Sequence, residues 1–134
     1  MTASRRMTIL CRNAKVLLEA AGYDVVIVAE LPVRQQVHAH LIALQGNADV
    51  RFIQIKIAIK PYVSFADVEM HCAREIREIR KQLACHPQQN HFHGEIWVAT
   101  ADGRFQCYEV STDVIREILP GAHAPVVRVG GAAA

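Results

Sequence analysis

The chain has 134 residues, 51% of them hydrophobic and 21% charged, with a formal net charge of +2. That length suits one domain around one core, and that composition excludes an intrinsically disordered chain. No apolar run approaches the ~20 residues that span a bilayer, and Met1-Thr2-Ala3-Ser4-Arg5-Arg6 opens no apolar signal stretch, so a cytoplasmic protein without membrane contact is expected.

The first helix is expected from Arg5 or Thr8 to Ala21, because Leu10, Ala14, Leu17, Leu18 and Ala21 follow the spacing of a buried stripe. Gly22 stops it, and Tyr23 to Leu31 reads as a strand ended by Pro32. Val37–Gln45 and Val50–Ile59 are two further strands joined by a turn at Gly46-Asn47. Ser64, with Asp67 three residues on, caps a second helix. Its single apolar stripe is Phe65, Val68, Cys72, Ile76, Ile79 and Leu83, and its charged face carries Arg74, Glu75, Arg77, Glu78, Arg80 and Lys81. Glu95–Thr100 and Arg104–Val110 form a hairpin about Asp102-Gly103. Ser111 or Thr112 caps a short helix over Asp113–Leu119, and a flexible tail over 121–134 follows a single domain over 1–120. The order α-β-β-β-α-β-β-α implies an α/β fold with a mixed central sheet flanked by helices.

Charge is uneven. Residues 1–60 hold eight basic and four acidic side chains, whereas residues 61–134 hold seven and nine, so the first half suits a phosphate-bearing partner. The four cysteines, Cys11, Cys72, Cys85 and Cys107, form no C-x-x-C pair and are expected reduced. Within the third strand, Gln54 and Lys56 are two apart and share a face. A lysine among Phe52, Ile53, Ile55 and Ile57 is the least ordinary feature of the chain.

Three segments carry a resemblance. Val16-Leu17-Leu18-Glu19-Ala20-Ala21-Gly22-Tyr23-Asp24-Val25-Val26 reads as a first helix leading into a sheet, His40-Leu41-Ile42-Ala43-Leu44 as a second strand, and Gln54-Ile55-Lys56 as a polar–X–lysine strand. In this order they resemble the PD-(D/E)XK (restriction-endonuclease-like) nuclease superfamily, and within it the archaeal Holliday-junction resolvase and tRNA-splicing endonuclease-like group. The resemblance implies a site of Lys56, Gln54 and His40, Mg²⁺ or Mn²⁺ as cofactor if the protein is active, and a homodimer. The lysine is kept, but the family's Asp falls on His40, its acidic residue on Gln54, and the resolvases' helical Glu near Asn13. An imidazole and two amides suit Mg²⁺ poorly, since it takes carboxylate and water oxygens. Glu30 is the candidate for a migrated carboxylate, and Asp49 a second one under a shifted register.

Three functions compete. The first is a nucleic-acid-binding protein with a degraded catalytic site, whose contacts to DNA or structured RNA come from Arg5, Arg6, Arg12, Lys15, Arg34, Arg51, Lys56 and Lys60. The second is an active divalent-metal endonuclease using Glu30, Gln54, Lys56 and His40. The third is a non-catalytic interaction or dimer scaffold. A rival zinc site would draw on His38, His40, Cys85, His86, His91 and His93, whose spacing matches no strong zinc motif. Neither a glycine-rich phosphate loop nor a Ser-His-Asp pattern occurs.

Overall fold

The computed structural model describes residues 3–32, 39–46, 49–85, 91–118 and 125–130. Helix α1 spans Ala3–Ala20 and buries Leu10, Cys11, Ala14 and Leu18. Gly22, at φ +96°, takes the left-handed conformation that closes it. The Gly22 and Tyr23 N–H groups donate back to Glu19 and Leu18 carbonyls at 3.0 Å each, satisfying acceptors at the helix end.

Strands β1 (Asp24–Ile27), β2 (Leu41–Gln45) and β3 (Asp49–Ile57) form an antiparallel meander. Helices α2 (Phe65–His71) and α3 (Ala73–Ala84) then carry the chain across the sheet to β4 (Phe92–Ala99), which runs parallel to β3. Strands β5 (Phe105–Val110), β6 (Ile115–Ile118) and β7 (Pro125–Gly130) continue antiparallel, giving one mixed seven-stranded sheet in chain order.

Strand alternation divides the interior into two cores. Ile53, Ile55, Trp97, Ala99 and Cys107 pack with α1, while Ile96, Val98, Tyr108 and Val110 pack with Val68, Cys72, Ile76 and Ile79 of α2 and α3. Gly94 on β4 lets α3 approach closely: a Cβ there would overlap the Ile79 Cγ2 methyl. No helix among the described residues is long and apolar enough to cross a membrane.

The α/β class and mixed sheet agree with expectation, and four details of the element order do not. The expected helix over Asp113–Leu119 is strand β6 in its central part. The Ser111 hydroxyl accepts from Val114 N–H (3.1 Å), and Ser111 N–H donates to the Val114 carbonyl (2.9 Å), so the presumed cap closes a tight β5–β6 turn. The second helix is interrupted at Cys72 (φ −114°, ψ 21°), though one apolar stripe still runs through both parts. The first strand ends at Ile27, where Val28–Glu30 turns as a 3-10 helix. The expected tail contains β7; residues 119–124 and 131–134 lie outside the described residues.

Candidate functional site

β3 presents Gln54 and Lys56 to the side covered by α3. Gln54 is buried, and Lys56 is one-third exposed at its side chain. The β2–β3 register, with Leu41 opposite Ile53, brings His40 to the start of β2 beside them, where its N–H donates to the Ile53 carbonyl at 2.9 Å. The His40 ring is fixed by a second bond, in which Ile55 N–H donates to Nδ1 at 2.8 Å. A backbone N–H can only donate, so Nδ1 carries no proton, and the neutral ring carries its proton on Nε2. Burial pushes the His40 pKa below its ordinary value, while Glu75 pulls the other way.

Glu75 of α3 completes the group. Its Oε2 accepts from Lys56 Nζ at 3.1 Å, and its Oε1 is buried without a hydrogen-bond partner. Glu75 was missed in the sequence because it was read with the charged face of its helix. A signal was present: it lies three residues after Cys72 and four before Ile79, on the flank of the buried stripe.

His40, Gln54 and Lys56 are therefore brought together, with Glu75 added. Glu30 is exposed and lines a cavity of about 400 Å³ on the α1 side, with Met7, Cys11 and His40; Lys56 lines a separate cavity. The donor set fits Mg²⁺ poorly. It offers one carboxylate already paired to a lysine, one amide, and an imidazole whose only acceptor nitrogen is occupied. What it offers instead is donors: an ammonium and an imidazole N–H, the groups that hold a phosphate oxygen.

Arg51, expected to contact nucleic acid, is 2% exposed and belongs to a buried network on the opposite, α1-facing side. It pairs with Glu95, with Asp49 (3.1 Å) and with Glu109 (3.9 Å). Trp97 Nε1–H donates to Glu95 (2.8 Å), and the Tyr23 hydroxyl donates to Asp49 (3.1 Å). Arg116 pairs with Glu109, and the two ring nitrogens of His93 face Asp49 (3.0 Å) and Glu109 (2.9 Å).

Burial raises the Glu95 pKa against the pull of Arg51. Burial would lower that of Arg51, but its carboxylate partners hold it raised. Burial also pushes the Tyr23 hydroxyl up to about 12. For Glu109 burial acts upward, and the opposing His93 bond and the Arg116 and Arg51 charges leave it lowered. Every member has a partner, and the network ties β3, β4, β5 and β6 together; this is structural, and Arg51 is unavailable to a backbone phosphate.

The remaining candidate contacts are at the surface: Arg5, Arg12 and Lys60 are exposed, and Arg6 and Lys15 are half-buried. Of the rival zinc set, His38 and His86 lie outside the described residues, as does Arg34. His91 packs edge-on against Phe92, His93 is held by its two carboxylates, and Cys85 is exposed. Among the described residues no three His, Cys, Asp or Glu side chains are grouped to hold a metal.

The fold is also that of solved structures. The chain matches Hjc, a Holliday junction resolvase from the archaeal hyperthermophile Archaeoglobus fulgidus, with a TM-score of 0.52 and 17% identity over 78% of this chain and 73% of that one. The chain has a restriction-endonuclease-like fold. No family model matches the sequence, and neither does any curated protein. At that identity the likeness speaks to the fold alone and leaves the site to be read from its own residues.

Proposed function

We propose that this restriction-endonuclease-like protein binds the phosphate backbone of DNA or structured RNA through a site that no longer supports metal-dependent cleavage. One observation carries the reading. Lys56, which the sequence resemblance puts at the family's lysine position, stands among positions that present proton donors in place of a second and third carboxylate. The solved neighbour is a Holliday junction resolvase, which makes branched DNA the first ligand to try. Arg5 and Arg12, seven residues apart on the exposed side of α1, add cationic surface to the same domain.

The test is fluorescence anisotropy with four-way, duplex and single-stranded DNA and with structured RNA, with Mg²⁺, Mn²⁺ or a chelator. Affinity should fall by about tenfold or more between about 50 and 200 mM salt, because several phosphates are neutralised. Lys56→Ala should weaken binding to all sequences alike and reduce the salt slope by about one. Binding that ignores salt overturns the reading. Strand cleavage that requires both metal and Lys56 would instead establish an active nuclease with an altered ligand set.

A further inference from the structure

Beside Lys56, on the loop that leads from β3 into α2, lies a cavity of about 700 Å³. Lys56 and Lys60 line it together, and so do His71 and Tyr62. The His71 ring is stacked on Tyr62, with centroids 5.3 Å apart and planes inclined by 18°. Tyr62 is buried and His71 exposed, so the pair offers solvent an imidazole surface backed by a fixed ring.

Two apolar side chains of the same lining, Ile59 at 92% and Val63 at 77% exposure, stand in solvent and contribute nothing to either core. Apolar groups held out beside cations are the pattern of an amphipathic ligand site. Of the acidic groups nearby, Asp67 accepts from Val63 N–H at 3.0 Å, and Glu75 holds Lys56 and is displaced when a phosphate takes the lysine.

We propose that this cavity receives one unstacked nucleotide of a single-stranded or branched nucleic acid. Lys56 and Lys60 take its phosphate, His71 stacks on its base, and Ile59 and Val63 cover the base edge. The volume lies within the ~300–1,000 Å³ range of small-ligand pockets. Stacking on an imidazole face needs no particular base, so the pocket favours unpaired strands without reading sequence. A paired base inside a duplex cannot reach it. The inference rests on the backbone-binding reading above and adds to it a preference for unpaired nucleotides.

The experiment compares a fluorescein-labelled single strand of about 15 nucleotides with the duplex of the same length, at one salt concentration, for the wild type, His71→Ala and Ile59→Ser. The single strand should bind more tightly. His71→Ala should weaken it about tenfold while moving duplex affinity by less than about twofold. Ile59→Ser, at a side chain almost wholly in solvent, should give the same selective loss and guards against a folding defect in the first variant. Equal affinity for both probes, unchanged in either variant, overturns the pocket and leaves the backbone reading standing. No binding of either probe removes both.

Discussion

Lys56 Nζ lies 3.1 Å from Glu75 Oε2, so the cation at the centre of the site is held by a carboxylate from the helix above it. A phosphate approaching Lys56 meets that carboxylate as a like charge and must displace it. The pair is partly open to water, with side-chain exposures of 33% and 18%, so its strength is modest. Glu75→Gln keeps the shape, removes the charge and frees the lysine. Binding of duplex or branched DNA should tighten by about two- to fivefold, the range of a partly exposed ion pair. Anisotropy titrations of the two proteins at one salt concentration decide it. Weaker binding in the variant would mean that Glu75 holds Lys56 in place for the ligand.

Arg51 is the reverse case, a basic side chain with no path to solvent. Removing it leaves Glu95, 1% exposed, without its principal counter-charge. Arg51→Ala should cost about 3–5 kcal/mol, as breaking a buried ion pair does. Arg51→Met with Glu95→Gln should recover part of that loss, since neither partner is then left charged and alone. Urea unfolding of the three proteins measures both effects. A loss below about 1 kcal/mol in Arg51→Ala would show that water reaches Glu95.

The meander and the shared face of Gln54 and Lys56 were legible because strand periodicity is local. So was the Gly22 stop, whose φ of +96° few other residues adopt, and the Ser64 cap, whose hydroxyl accepts from Asp67 N–H at 3.2 Å. Part of the signal that buries Arg51 is local. Arg51 is an odd number of residues from both Gln54 and Lys56, so alternation alone puts it on the opposite face. Its partner Glu95 is 44 residues away, a separation no local pattern reports. Glu75 is 19 residues from Lys56 and was hidden likewise, in a helix face that looked uniformly solvated. Strand β6 was misread because Ser-Thr-Asp chemistry serves helix caps and tight turns equally, and only pairing with β5 decides between them.

His40 gives the fold a dependence on pH. Its pKa in the folded protein lies below the ordinary 6.5, so between those two values the unfolded chain binds the extra proton and the folded chain does not. Stability from this residue is therefore complete above pH 6.5 and declines as the pH falls below it, by at most about 1.4 kcal/mol per pH unit for one proton. The raised pKa of Glu95 acts with the opposite sign, so the measurement must be a difference. Urea unfolding of wild type and His40→Gln from pH 7.5 to about 5 should show a drop that the variant lacks, since a Gln carbonyl can still accept from Ile55 N–H. Parallel curves would mean that the folded and unfolded chains take up the His40 proton equally, with the bond from Ile55 N–H given up at no cost.

Gly94 links packing to the site. The Ile79 Cγ2 methyl occupies the space a β-carbon would need, and Ile79 is 2% exposed in the core beneath α3. Gly94→Ala must push α3 outward or force Ile79 off its rotamer, at a cost of about 1–3 kcal/mol. Ile79→Ala alone leaves a cavity, at about 2–5 kcal/mol. Combined, the new methyl enters the emptied space, so the double variant should lose less than the two single losses together, with a coupling of about 0.5–3 kcal/mol. Glu75 is one turn before Ile79 on the same helix. A helix pushed outward draws that carboxylate away from Lys56, so Gly94→Ala should bind DNA more tightly even as it loses stability. Both quantities can be read on one preparation, by urea unfolding and by anisotropy at a temperature where the variant is folded. Loss of stability with unchanged binding would show that the clash is absorbed by Ile79 alone, with α3 and its carboxylate left in place.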